Sequence, residues 1–355
     1  MADYAYANAR IRAMQGRLLA WTQYESLLHE ETWEGLVEAL QTSPYERTWE
    51  HAITALDPTH LSQTIIRIDE ALRRDLTQSL AKLRHFFSNH SLELVNALFL
   101  RWDVSNLKTV IRGKRAAAPV EEILTATLPV GILDDIALAE LARLPTLQAV
   151  ASTLDTWRLP LARPVRTGLN LLGEADALQP LEYELDRFTV MHTSRLVPDG
   201  DDNDRAVRDY LLFLVDKANL LTALRYLAER SVLSPIEASR HFLKAGGRLT
   251  RSHYEAVVSA RELRDGLSRP TEAPYRWLAG TCAEGEPISL PLVERKLDRM
   301  AIRKAVNLSR QDPLGIGVAI AYLEQKTNEV RNIRMILRGK ALGMGVEQIA
   351  EWMIV

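Results

Sequence analysis

The sequence predicts an all-α protein assembled from three copies of one unit, on three observations. Apolar residues recur at three- and four-residue spacing almost throughout, as in Leu36, Val37, Leu40 and in Leu72, Leu76, Leu80, Leu83, the stripe that one face of a helix needs. No run alternates strictly between apolar and polar residues as a half-buried strand does. One pattern occurs three times: Asp103, Asn106, Leu107 to Arg112; Asp216, Asn219, Leu220 to Arg225; Glu329, Asn332, Ile333 to Arg338. The three asparagines are evenly spaced at a 113-residue period, and a chain of 355 residues has room for three such units.

Length alone allows two or three domains, each large enough to bury a core. The repeat selects three, with expected boundaries 1–117, 118–232 and 233–355. A unit of this period is far longer than the ~20–50-residue repeats of solenoids, which points to three closed domains rather than an open array.

Charge is nearly balanced, with 44 basic and 46 acidic residues and a net charge of −2, so nothing predicts a nucleic-acid partner. The single Cys282 cannot form an internal disulfide and fits a reducing compartment. No apolar run approaches the ~18 residues of a membrane span, and the first residues lack the apolar core of a signal peptide. The expectation is a soluble, cytoplasmic chain that can still be part of a membrane complex.

In chain order, the first helix is expected over about 4–20, and a second opening at Glu31 or Thr32 ends near Gln41, before the turn at Thr42 to Tyr45. Asp57-Pro58 suits a helix start, because the aspartate caps free amides and proline has no amide to leave unpaired. That helix should run to about Phe86. Ser91 is the expected cap of a helix of roughly 24 residues that carries the first motif and ends at Gly113, with Arg112 and Lys114 beside its negative end.

Val120-Glu121-Glu122-Ile123 and Val346-Glu347-Gln348-Ile349 begin equally far after their motif asparagines, and Pro235 to Ala238 stands slightly later in copy two. Trp33 to Thr42 matches Thr146 to Asp155 at the same 113-residue offset, with Tyr254 to Val258 offered out of phase in copy three. Exposed loops are expected at Val197 to Asp204 and at Ser268 to Pro291. Asp204 precedes Asn219 by the same distance as Ser91 precedes Asn106, so copies one and two should start their long helices in register. In copy three the start moves back to Asp312-Pro313, giving roughly 30 residues and the longest helix of the chain.

On a helix turning about 100° per residue, the motif acid, the asparagine and the residues one, four and five later share one broad face. These last are Leu107, Val110, Ile111; Leu220, Ala223, Leu224; and Ile333, Ile336, Leu337, while Arg112, Arg225 and Arg338 point away. An unpaired buried amide or carboxylate costs about 1–3 kcal/mol or more, so each needs a fixed partner. The favoured account is structural: acid and amide bind free backbone groups of a neighbouring helix end. A ligand or catalytic site is the other, and three equivalent sites would be odd for an enzyme.

No chemistry-bearing motif survives inspection. Arg-Gly-Lys at 112–114 and 338–340 lacks the earlier glycine and the following Ser or Thr of a phosphate loop. Gly315 and Gly317 lack a third glycine and a preceding strand; with Ala319 and Ala321 they instead let another helix approach. His29-Glu30 begins like a zinc-protease motif, but Trp33 holds the second histidine's place. No nucleophile elbow is present, and neither catalytic residue, metal nor cofactor is expected. Lys326, Arg331, Arg334, Arg338 and Lys340 read as a solvated basic face, with docking against an acidic partner as the alternative.

Tyr6 to Arg12, the Asp-x-x-Asn-Leu segments at 103 and 216, and above all Asp312 to Gly317 with Asn328 to Arg334 resemble the C subunit family of bacterial and archaeal V/A-type rotary ATPases, related to the d subunit of the eukaryotic vacuolar ATPase. The resemblance covers essentially the whole chain. It implies a funnel of three similar helical domains around a pseudo-threefold axis. It also implies a non-catalytic rotor subunit, peripheral on the cytoplasmic face of the membrane, that joins the central-stalk subunits to the proteolipid ring and passes torque for proton or sodium transport. Membrane association would come through the complex only, and no homo-oligomer is expected. The alternative is a general α-helical adaptor scaffold, which the residues alone would favour.

Overall fold

A computed structural model describes residues 2–41, 61–172, 178–197, 200–229, 234–270, 275, 278, 280 and 288–354, and every regular element among them is helical. The helices are α1 (Ala2–Gln15), α2 (Trp21–His29), α3 (Trp33–Gln41), α4 (Leu61–Arg84), α5 (Asn89–Arg115), α6 (Val120–Thr125), α7 (Asp135–Arg143), α8 (Leu147–Thr156), α9 (Ala162–Asn170), α10 (Gln179–Leu196), α11 (Asp202–Ala228), α12 (Pro235–Ala238), α13 (Arg251–Val258), α14 (Leu263–Ser268), α15 (Leu290–Gln311), α16 (Gly317–Ala341) and α17 (Val346–Trp352). A 3₁₀ turn, Ser239–His241, follows α12. The expected turn at 42–45, the Asp57-Pro58 helix start and Cys282 lie outside the described residues.

The three motif helices α5, α11 and α16 end at Arg115, Ala228 and Ala341, one repeat period apart each time. Two of them also begin in register, at Asn89 and Asp202. The starts differ from the expected caps. Ser91 is buried inside α5, and Asp204 is buried in the first turn of α11, where it forms a reciprocal capping box with the true cap, Asp201. Glycine does not end α5, which continues through Gly113 to Arg115.

The third motif helix is shorter than expected. It has 25 residues against 27 in α5 and α11, because the Asp312 carboxylate accepts the amide of Leu314 and folds 312–316 into a turn. That turn joins α15 to α16, and a Cβ on Gly317 would lie 2.6 Å from the Leu308 carbonyl carbon, so the expected close helix approach is met there. At the other end of the chain the first helix stops at Gln15 rather than near residue 20.

The chain divides into two compact units. One holds 1–95 and 302–355, the other 96–301, and the divisions fall within α5 and α15. In the 96–301 unit, Leu107, Val110 and Ile111 of α5 bury against Leu133, Leu138 and Leu141 around α7, Val150 and Leu154 of α8, and Leu181 and Leu185 of α10. A second core in that unit packs Leu220, Ala223 and Leu224 of α11 against Tyr254 and Val257 of α13, Leu267 of α14, and Val293 and Leu297 of α15. Burying one such leucine contributes roughly 1.5–3 kcal/mol. In the terminal unit α16 packs against α4, α1 and α2, with Val330, Ile333, Ile336 and Leu337 buried.

The phase shift after the second motif is explicit in the helix positions. Tyr254 belongs to α13, which follows the start of α7 by slightly more than one period, and α14 follows α8 by the same interval. Tyr254 to Val258 therefore corresponds to Asp135–Arg143, not to Trp33 or Thr146 and their neighbours. The loop expected at 268–291 starts in α14 and ends in α15, and between them Tyr275 and Leu278 are buried.

Candidate functional site

Each motif asparagine binds both backbone groups of one residue that follows its helix. Asn106 donates to the Leu128 carbonyl at 2.7 Å and accepts the Leu128 amide at 2.7 Å. Asn219 holds Leu243 in the same way at 2.9 and 2.8 Å, and Asn332 holds Ile354 at 2.8 and 3.1 Å. A carboxamide carries one acceptor and one donor side by side, as a peptide group does, so it completes the backbone of a chain that has left a helix. All three asparagines are buried.

The motif acid binds backbone amides slightly farther along. Asp103 accepts from Ile132 at 3.1 Å and Leu133 at 2.9 Å. Asp216 accepts from Arg248 at 2.8 Å and from Leu249, with the Tyr275 hydroxyl at 3.4 Å. Burial pushes the Asp216 carboxyl above its ordinary pKa, and these donors oppose the rise. Burial also raises the Tyr275 phenol, with the Asp216 charge adding to it.

Glycines admit the two aspartates. A Cβ on Gly131 would sit 2.1 Å from Asp103 Oδ2, and one on Gly247 would sit 2.1 Å from Asp216 Oδ1. In copy three the acid is the longer Glu329, and the residue before its amide donor is Leu18, where no glycine makes room. Glu329 Oε2 accepts the amide of Leu19 at 2.5 Å, and Leu19 stands one repeat period before Ile132. Its other oxygen accepts from Lys326 at 2.9 Å, and Lys326 also lies 2.8 Å from Asp75. Lys326 is buried; burial by itself would lower its pKa, but Glu329 and Asp75 raise it overall. Tyr24 packs on the same group, its phenol raised by burial and by Glu329, while a hydrogen bond with Asn332 opposes the rise.

The motif arginines point outward as expected, and each meets an acid on another long helix. Arg112 forks onto Glu182 with two bonds of 2.6 Å; Arg225 reaches Glu294 at 3.9 Å; Arg338 lies 2.6 Å from Asp69, which Arg334 also contacts at 3.0 Å. Asp69 and Glu182 are one repeat period apart, a correspondence visible in the sequence once the period is known. The solvated basic face is corrected in part, for Arg331 and Arg338 are exposed as expected while the others are not. Lys326 is buried in an ion-pair cluster, Arg334 and Arg338 are paired with Asp69, and Lys340 donates to the carbonyls of Leu28, at 2.9 Å, and Glu30 at the end of α2.

Lys340 also gives Arg-Gly-Lys its meaning. Lys114 makes the equivalent bonds to the carbonyls of Ala142 and Leu144 at the end of α7, so both lysines satisfy the last carbonyls of a helix. Burial lowers the pKa of both lysines. The glycine between is a packing residue: a Cβ on Gly113 would lie 2.4 Å from Ile123 Cγ1, and one on Gly339 would lie 2.6 Å from Ile349 Cγ1. Copy two has Tyr226 at this place, and its α12 is reduced to four residues.

Within the 96–301 unit a half-open cavity of about 460 Å³ lies between α10 and α11, lined in part by Glu182, Asp186, Arg225, Tyr226 and His241. Glu182 and Asp186 are paired with Arg112 and Lys108, and Arg225 faces Glu294. Burial lowers the pKa of His241, which packs edge-on against Tyr183. Among the described residues no group of three or more His, Cys, Asp or Glu could hold a metal ion, and no helix is long and apolar enough to cross a membrane. The arrangement that recurs is one of backbone capture and helix docking.

Comparison with known proteins gives this arrangement its setting. The chain is similar to the C subunit of the A-type ATP synthase of Methanocaldococcus jannaschii, 24% identical across all of this chain and 87% of that protein. The corresponding protein of Methanosarcina mazei is 28% identical over 99% of this chain and 93% of its own length, and that of Pyrococcus abyssi 27% over 98% and 89%. The family model described as ATP synthase (C/AC39) subunit matches residues 7–352. Matched over nearly its whole length, the chain belongs to the ATP synthase (C/AC39) subunit family, whose members are non-catalytic subunits of V/A-type rotary ATPases.

Proposed function

We propose that this chain is the mechanical coupling piece of the rotor, holding the foot of the central stalk on one side and the membrane proteolipid ring on the other. Torque between an ATP-handling head and an ion-translocating ring passes through its packed helices, and nucleotides and ions act elsewhere. In this reading it sits on the cytoplasmic face of the membrane and reaches the bilayer only through the complex.

The observation that carries the reading is the permuted pairing of the motif arginines. Copy one, through Arg112, meets a helix of copy two; copy two, through Arg225, meets a helix of copy three; copy three, through Arg338, meets Asp69 of copy one. Three domains of about 1–117, 118–232 and 233–355 around a pseudo-threefold axis would produce this pattern, and it supports the funnel architecture. A part that turns as one body needs every repeat joined to the next.

Removal of the gene tests the proposal. Membranes should retain ATP hydrolysis by the head and lose ATP-driven ion uptake, with restoration by the wild-type gene. Hydrolysis and transport both normal in a verified deletion would contradict it. Co-purification of a tagged copy with unrelated proteins, and with no stalk or proteolipid component, would favour a general helical adaptor.

A further inference from the structure

We propose that residues 2–31 form a detachable clasp, a segment that can leave the last motif helix while the rest of the fold stays closed. In copies one and two the residues captured by the motif helix follow it closely in the chain. Ile132 and Leu133 lie 29 and 30 residues after Asp103, and Arg248 lies 32 after Asp216. In copy three the same role falls to Leu19, 310 residues before Glu329. The lysine caps repeat the contrast: Lys114 to Ala142 spans 28 residues, and Lys340 to Leu28 spans 312.

The clasp follows the helix and the turn before it for most of its length. Asn8 donates to the Gly315 carbonyl at 3.1 Å, Arg12 to the Pro313 carbonyl at 3.0 Å and Gln15 to Gln325 at 3.2 Å. Leu19 then meets Glu329, and the end of α2 meets Lys340. Ala7, Ile11, Leu19, Tyr24, Leu27 and Leu28 supply its buried apolar side. Release also parts Tyr4 from Phe87, Tyr6 and Arg10 from Phe86, and Tyr24 from Asn332, but breaks no covalent bond, and a sub-global opening of this kind needs less free energy than unfolding the whole chain. The connection from residue 31 to α4 keeps the released segment near its groove, at an effective concentration on the order of millimolar, so it recloses on its own helix. The inference is independent of what the protein couples.

Native-state hydrogen exchange on the full-length chain, followed by mass spectrometry across low denaturant concentrations, tests it. Amides of residues 2–29 should exchange together, at least tenfold faster than those of α7 and α13, and with a weaker denaturant dependence than global unfolding. Glu329→Gln should speed residues 2–29 a further tenfold or more and leave them ahead of α7 and α13, with their weaker denaturant dependence kept. Asp103→Asn should leave residues 2–29 at wild-type rates. Exchange of residues 2–29 only with global unfolding, at the rates of α7 and α13, would overturn the proposal. So would a Glu329→Gln variant whose residues 2–29 exchange at the rates and with the denaturant dependence of α7 and α13.

Discussion

The amide of Leu19 donates to the carboxylate of Glu329 across 310 residues of sequence, at the place where Ile132 donates to Asp103 across 29. One local rule thus serves both short and very long separations. A buried acid collects free amides, and an asparagine three residues later completes a peptide backbone. The stability of the chain should depend on these staples more than on its surface charges.

Asn106→Ala and Asn219→Ala each leave a backbone amide and carbonyl without that partner, and Asn332→Ala leaves the Ile354 amide so, while its carbonyl keeps the Asn328 amide. Each should cost about 1–3 kcal/mol, read as a lower denaturant midpoint. Unchanged midpoints in all three would remove the structural role of the motif.

The outward arginines should matter much less to stability. Arg112 and Arg338 are about three-fifths exposed, 60% and 62%, so water and salt screen their pairs with Glu182 and Asp69. Arg112→Ala and Arg338→Ala should each cost less than about 1 kcal/mol, and that difference should shrink further in about 1 M salt.

Gly113→Ala and Gly339→Ala place a methyl group against Ile123 and Ile349. Overpacking of this kind costs about 1–3 kcal/mol. Pairing Gly113→Ala with Ile123→Ala should recover part of the loss relative to the sum of the single changes, a coupling that a double-mutant cycle measures. Strict additivity would show that the contact does not set the spacing of α5 and α6.

Lys326 carries a pH signature. Burial opposes its charge, but Glu329 and Asp75 hold its folded pKa above the ordinary 10.5. A raised folded pKa means that the contribution is fully present below 10.5 and is lost as pH rises through the folded value. Lys326→Met leaves two carboxylates without their cation and should cost about 3–5 kcal/mol at neutral pH. The gap between wild type and variant, followed by urea denaturation, should stay constant from pH 7 to 10 and narrow above that. Tyr322, whose phenol burial pushes up to about 12, is itself held down by the Lys326 charge and rises further in the variant, so the narrowing is read below about pH 12.

Much of this site was legible in the chain itself. The 113-residue period locates Asn106, Asn219 and Asn332, places the acid and the asparagine on the apolar side, and turns the arginines outward. It does not identify what they hold, because Leu128, Leu243 and Ile354 contribute only backbone groups, which leave no side-chain signature. Ser91, Asp204 and Asp312 do not start their helices as their residue types suggest, and the physical reason is common to all three. Ser and Asp suit a cap, a first turn and an Asx turn alike, and only the neighbouring carbonyls and amides choose among them.

Sequence by itself determined the all-α class, the threefold internal repetition and the family, since each rests on periodicity or on residue identity within a short span. Tertiary structure alone decided which acid receives each arginine, why glycine stands at 113, 131, 247 and 339, and how copy three is completed by Leu19. Those are contacts between surfaces far apart in the chain. Their selection depends on how packed helices bring backbone and side chain within about 3 Å, and no local pattern of residues encodes that distance.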